Sequence, residues 1–365
     1  MKIIDVINVI EDYAPLALQE SYDNAGLIVG NKNDEVSGVL LCLDSTEEIV
    51  DEAIAKKCNL IVAHHPIVFS GLKKITGKNY IERTIIKAIQ NNIAIYAAHT
   101  NLDNVYLGVN KMIGDKLGVD NPKILSPKKG LLSKLVVFVP NEKANEVRQA
   151  MFDAGAGQIG NYDECSYNLE GQGTFRAGDN TNPYVGEKGE LHFEPETRVE
   201  VIVPDYKLSH VVAKMIQAHP YEEVAYDVYP LKNQWQQTGS GMYGELEQEV
   251  ALKDFLNKIK EVFNVPVIRH TANDLQKPVK RIAWCGGSGS FLLPDAKRVG
   301  ADVFITGDFK YHQFFDAEND IIIADIGHYE SEQFTIELFY ELLTKNFSNF
   351  AIRLTEKNTN PINYY

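Results

Sequence analysis

The sequence has no uninterrupted apolar run approaching the roughly 20 residues that a membrane-spanning helix requires. Its amino-terminal stretch, MKIIDVINVIEDYAPL, sets Asp5, Glu11 and Asp12 among its apolar residues, which fits an amphipathic helix and excludes the core of a signal peptide. Cysteine is scarce. Cys42, Cys58, Cys165 and Cys285 lie far apart and form no CxxC pair, so neither a disulfide framework nor a thiolate zinc site is indicated, and a reducing cytoplasm is the expected setting. Cations are also short, with 36 Lys and Arg against 50 Asp and Glu for a formal charge of −14. That balance argues against nucleic acid as a partner, because binding a phosphate backbone calls for a basic surface. A local group of cations suffices for one phosphorylated small molecule. What remains is ordinary globular composition, 44% hydrophobic and 24% charged over 365 residues, enough for two or three domains with real cores.

The first third alternates apolar runs with helical patterns: VLLCLD from Val39, a helix over 46–57, NLIVAHH from Asn59, a helix near 81–90, then IAIYAAH from Ile93. This is the rhythm of a parallel sheet with crossover helices. The last third repeats it with RIAWCGGSG from Arg281, DVFITGD from Asp302, IIIADIGH from Ile321 and a closing helix to about Leu343. Between them the pattern changes to a β-α-β, β-α-β order, including KLVVFVP, a helical NEKANEVRQAMFDAG, TRVEVIVP and VAYDVYPL. The reading is an α/β protein: two similar α/β halves, residues 1–129 and 239–365, form one main domain, with an inserted ferredoxin-like α+β domain over 130–238. The Gly-rich stretch 155–189 either belongs to this order or is a disordered loop, and KNQWQQTGSG from Lys232 is expected to be a polar linker.

The histidines and acids carry the chemistry. Ligands in open α/β sheets gather at the carboxyl ends of strands. There, NLIVA runs into His64 and His65, IAIYA into His99 and Asp103, DVFIT into Asp308 with His312 beyond, and IIIA into Asp325, His328 and Glu332. His and carboxylate together suit zinc, iron or manganese. His328 and Glu332, four apart, share one face of a helix. Side chains of adjacent residues diverge on an extended strand, but His64 and His65 at a strand end can serve two neighbouring ions, with Asp103 or Glu332 as a bridge. Each residue also has an ordinary role open to it: Asp103 as a turn or cap residue, Glu332 as a solvated helix residue, His99 as a hydrogen-bonded structural residue. His312 divides evenly between structure and function. CGGSGS from Cys285 is a tight strand-to-helix turn whose amides could also cradle an anion.

The runs SYDNAGLIVG, AHHPIVF, AAHTNLDN, GGSGS, TGDFKYH and DIGHYESE, in this order along nearly the whole chain, closely resemble the Ngg-interacting-factor-three-like family, also named GTP cyclohydrolase type 2 homologues. The resemblance implies a dinuclear centre of two divalent metal ions per chain, held by His64, His65, Asp103, His328 and Glu332. It implies a toroidal homohexamer and a middle insertion like the PII or CutA modules, where HPYEEVAYDVYPL carries the likeness. The expected function is metal-dependent hydrolysis of a small molecule such as a nucleotide, with His99 and His312 as candidate proton carriers. The alternative is a non-enzymatic metal-binding regulator or scaffold that senses a ligand or protein partner through its insertion. Clustered ionisable residues favour the enzyme.

Overall fold

Three short apolar runs build the first sheet. Val39–Cys42, Leu60–Ala63 and Ala94–Ala97 are buried at every position, as parallel strands covered on both faces must be, and they pair in parallel in that order. Ile352–Leu354 extends the sheet in parallel beside Val39–Cys42, and Gly26–Val29 closes the other edge in antiparallel. The crossovers are helices Glu47–Ala55 and Tyr80–Gln90, started by Thr46 and Asn79, whose side chains accept from the amides of Ile49 and Glu82. Leu40, Ile61 and Ile95 pack against Ile49, Val50 and Ile85 on these helices.

The second sheet repeats this plan. Pro278–Ser288, Val303–Gly307 and Ile322–Asp325 run parallel in that order, so each sheet holds three consecutive parallel strands in the same arrangement. Gln234–Ala251 pairs antiparallel with Pro278–Ser288, Lys123–Lys129 lies beyond it, and Arg269–His270 closes the opposite edge. In the computed structural model, which describes residues 1–365, these two sheets belong to one compact unit, Met1–Ser126 with Gln237–Tyr365. No helix is long and apolar enough to cross a membrane.

The other unit, Pro127–Gln236, is a single antiparallel sheet in the order Ser166–Arg176, Leu191–Pro204, Leu132–Pro140, Tyr226–Leu231. Helices Ala144–Asp153 and Asp205–Ala218 cover one face, with Val137, Val139, Val199 and Val201 against Val147, Met151, Val211 and Met215. The element order is β-α-β-β-α-β, the ferredoxin-like arrangement.

The structure decides one polar segment and corrects another. Residues 155–189 are not simply a loop, because Ser166–Arg176 pairs along its full length with Leu191–Pro204. Its side chains are mostly exposed, so no alternation of apolar residues announced the strand. Residues 232–241 are not a free linker either. They lead into the strand Gln234–Ala251, whose Met242 and Tyr243 sit opposite Trp284 and Ala283. Gly239 and Gly241 have φ of +158° and +62°, and a Cβ on Gly241 would overlap Leu292 and the Trp284 carbonyl. Gly241, which read as part of a linker, thus allows close backbone approach.

Candidate metal centre

At the end of Leu60–Ala63 the amides of His64 and His65 both donate to the Leu43 carbonyl, at 3.1 and 2.9 Å. The backbone therefore curls, and the two rings lie 4.9 Å apart instead of on opposite faces. The end of Ala94–Ala97 leads through His99 into the short helix Thr100–Asn104, which carries Asp103. Asn101 and Asn104 fasten this turn by donating to the carbonyls of Ala14 and Leu18, and Asn110 donates to that of Asp103. From the second sheet, Ile322–Asp325 opens into helix His328–Glu332, which delivers both of its terminal residues.

The structure brings all five of His64, His65, Asp103, His328 and Glu332 together. Glu332 is buried between two donor sets. Its Oε2 lies 2.9 Å from His65 Nε2 and 3.1 Å from His328 Nε2, while its Oε1 faces His64 Nε2 at 3.7 Å. His64 Nε2 in turn stands 3.6 Å from Asp103 Oδ1. The ligand atoms of His65, His328 and Glu332, and those of His64, Asp103 and Glu332, lie within 4.8 Å of one another. A third such group is His64, His65 and His99. His312 contributes no atom to these groups: it is exposed on the turn Tyr311–Ala317, with its ring against Tyr311 and Phe315.

Every imidazole is held from behind through Nδ1. His65 meets Asp44 at 2.7 Å, His328 meets Asp308 at 2.7 Å, His99 meets Asp23 at 2.8 Å, and His64 meets the Ala98 carbonyl at 2.8 Å. Carboxylates and carbonyls only accept, so these contacts place a proton on Nδ1 and direct Nε2 toward the cluster. Ligating histidines are oriented by such outer partners. For His64 the consequence is acute. Its side chain is wholly buried, Nε2 has no hydrogen-bond partner, and the nearest polar atoms are acceptors; Asp103 Oδ1 is buried and unpartnered as well. A lone pair facing two carboxylates is unfavourable unless a proton or a metal ion lies among them. The separations suit one, since two bonds of about 2 Å at a tetrahedral angle hold their donor atoms roughly 3.4 Å apart.

The electrostatics point the same way. Burial, then the nearby Glu332 charge, pushes the Asp103 carboxyl up to about 7. Burial also pushes Glu332 up, but the charge and hydrogen bonding of the facing histidines, His328 and then His64, together outweigh it and hold Glu332 well below the ordinary carboxylate value. Burial disfavours charge on His65 and His328, yet hydrogen bonds that His65 donates to Asp44 and Glu332 raise it to about 9, and Glu332 with Asp308 raises His328 to about 11. Asp23 is held at about 2 because hydrogen bonds from His99 and Thr100 outweigh its burial. Acids and bases so strongly interdependent are typical of functional sites.

The supporting roles of three residues escaped the sequence reading. Asp23 sits outside any strand end, Asp44 follows Val39–Cys42, and Asp308, noted there only as a strand end, has φ of +61°. Strand-end position was an available signal for Asp44 and Asp308, whereas Asp23 was marked only by lying within the run SYDNAGLIVG. The glycine run from Gly286 is no free anion cradle. The amides of Gly286, Gly287 and Gly289 donate to Asn110, Ser331 and Thr306 side chains. Its purpose is room: Gly287 has φ of +63°, and a Cβ there would overlap the Glu332 carboxylate.

Comparison with known proteins agrees over the same span. A family model described as Duf34/NIF3 (NGG1p interacting factor 3) matches residues 1–361. Proteins named GTP cyclohydrolase 1 type 2 homolog are similar in Halalkalibacterium halodurans, 42% identical across 88% of this chain and 87% of that one, and in Bacillus subtilis, 38% identical across 98% and 97%. The crystal structure of a Bacillus cereus protein related to NIF3 superposes with a TM-score of 0.87 at 39% identity, covering 100% of this chain and 99% of that one. Whole-length match, shared fold and identities well above 30% establish that the chain belongs to the DUF34/NIF3 family.

Proposed function

We propose that the cluster is a dinuclear divalent-metal centre and that the protein is a metal-dependent hydrolase of a nucleotide or related small molecule. The observation that carries this reading is His64: a buried imidazole, proton fixed on Nδ1 by Ala98, whose Nε2 faces the oxygens of Asp103 and Glu332 without a partner. His65 and His328 would hold one ion and His64 and Asp103 the other, with Glu332 shared, since its two oxygens face the two sets separately. Zinc, iron and manganese all accept such donors. When bound, the ions supply Lewis acidity and lower the pKa of water. His99 is the residue placed to carry a proton. Asp23 fixes its Nδ1, its ring lies 5.3 Å from that of His64 and 5.4 Å from that of His65, and its side chain keeps 14% exposure.

The nucleotide class rests on the name shared by the curated relatives. The test is turnover of metal-loaded protein on a panel of nucleotides and phosphoesters, abolished by chelation and restored by metal. Retained metal with no turnover on any of them would favour the regulator reading, which the insertion's own cavity supports. We propose further that the chain assembles as a homohexamer. Sedimentation as a monomer at micromolar concentration would count against it.

A further inference from the structure

The inserted unit contains a cavity that is independent of the metal cluster. Its sheet is covered by helices on the face of Val199, Val201 and Val203, so Glu196 and Arg198, of opposite parity on the same strand, point to the uncovered face. There Glu196 pairs with Gly171, and Arg198 lies between Leu169 and Phe138. Glycines at 171 and 173 leave that face without side chains, and a Cβ on Gly173 would overlap the Glu196 carboxylate. The result is a cavity of about 620 Å³, within the range of small-molecule sites, lined by Glu196, Arg198, Phe138, Phe175, Tyr184 and Tyr221. The rings of Phe175 and Tyr184 lie 6.1 and 6.2 Å from that of Tyr221 and form an aromatic wall.

The two charges in this cavity are incompletely matched within the protein. Glu196 is held at Oε1 by the neutral Tyr221 hydroxyl, which donates at 2.9 Å. Burial, then Glu196, raises the Tyr221 pKa, so it remains a phenol. At the other end Arg198 Nη2 pairs with Glu200 Oε1 at 2.9 Å, but Lys134 already pairs with Glu200 Oε2 at 2.7 Å. One carboxylate thus serves two cations, and Arg198 Nε is buried with no hydrogen-bond partner. The strand therefore presents a surplus negative charge at Glu196 and a surplus positive charge at Arg198, two residues apart beside aromatic rings. Around them Glu170, Glu222 and Glu223 outnumber Arg176, which disfavours a ligand of net negative charge.

We propose that this cavity binds a small zwitterion with a flat apolar body, in chemical class an aromatic α-amino acid, its ammonium on Glu196 and its carboxylate on Arg198. Calorimetric titration of the full chain with L-phenylalanine, phenethylamine and phenylacetate tests it, because the three share a ring and differ in charge. L-Phenylalanine is expected to bind at millimolar or lower concentration, about tenfold or more tighter than either analogue, as each charged hydrogen bond contributes at least that factor. Glu196→Gln should weaken L-phenylalanine and phenethylamine and leave phenylacetate unchanged; Arg198→Met should weaken L-phenylalanine and phenylacetate and leave phenethylamine unchanged. The probe series on the unaltered protein decides even if a variant misfolds. Equal affinity for phenethylamine or phenylacetate, or no heat with any of the three, overturns the proposal.

Discussion

If Glu332 is the shared ligand, its removal must affect both ions, whereas removal of Asp103 must affect one. The geometry sets the contrast. Glu332 Oε2 lies within 3.1 Å of both His65 and His328 Nε2, and Oε1 faces His64, while Asp103 contacts only the His64 side of the cluster. Loss of an outer partner typically weakens a metal site about 10- to 100-fold. Loss of a direct, shared carboxylate should exceed that for each ion, above roughly 1.4–2.7 kcal/mol apiece. It also removes the negative charge that offsets repulsion between the cations. Glu332→Gln and Asp103→Asn nearly preserve volume, so packing stays and charge goes. The assay is metal per chain by elemental analysis after dialysis, with circular dichroism to verify folding. The expected order is full occupancy in the natural protein, about half in Asp103→Asn, and little in Glu332→Gln. Thermal melts with and without added metal provide a second readout, because an ion at about 100 times its Kd stabilises by roughly 2.7 kcal/mol. That increment should be nearly absent in Glu332→Gln. Full occupancy in a folded Glu332→Gln protein would refute the shared-ligand reasoning, and full occupancy in the double variant would refute the metal centre itself.

The same geometry sets outcomes elsewhere. Gly287→Ala places a Cβ at φ +63° against Glu332, so thermal melts should show a loss of at least about 1–2 kcal/mol, and elemental analysis reduced metal. Asp44→Ala should weaken metal binding about 10- to 100-fold by freeing the His65 ring. Thr359→Val should do the same more mildly, because the Thr359 hydroxyl donates to the other Asp44 oxygen at 2.7 Å; competition with a chromogenic chelator measures both. In the inserted unit, burial lowers the His219 pKa below 6.5, its Nδ1 accepting from the Tyr221 amide and its Nε2 donating to the Phe138 carbonyl. The unfolded chain then takes up the proton more readily than the folded one, so this contribution is whole above pH 6.5 and is lost as pH falls toward the folded value. On going from pH 7.5 to 5, hydrogen exchange in 219–225 should slow by less than the fall in the intrinsic rate, because protection is lost, and His219→Gln should abolish the difference.

Legibility in the sequence followed burial. Strands such as Leu60–Ala63 and Ala94–Ala97 are covered on both faces, so they had to be unbroken apolar runs, and they were found to within a residue or two. Ser166–Arg176 has one face on solvent or on the cavity and glycine at two of its positions, so nothing in its composition separated it from a loop. Its strand character comes from the partner Leu191–Pro204, a non-local term that local patterning does not contain.

The candidate site divides along a similar line. Residues that reach the cluster from strand ends, His64, His65, His328 and Glu332, were legible because a parallel sheet delivers all its carboxyl ends to one side. Asp23 was not, because it lies 76 residues from the histidine it orients and belongs to no strand. Which carboxylate stands between the two sets of histidines was also hidden. Spacing along the chain treats Asp103 and Glu332 alike, and only their packing distinguishes them: Gly286 and Gly287 leave space into which Glu332 extends, with one oxygen toward each set of histidines. The glycine run that resembled an anion cradle in the sequence therefore acts through what it omits. Two absent side chains allow a buried carboxylate to stand between His64 and the His65–His328 pair, which is the position that the proposed two-cation site requires.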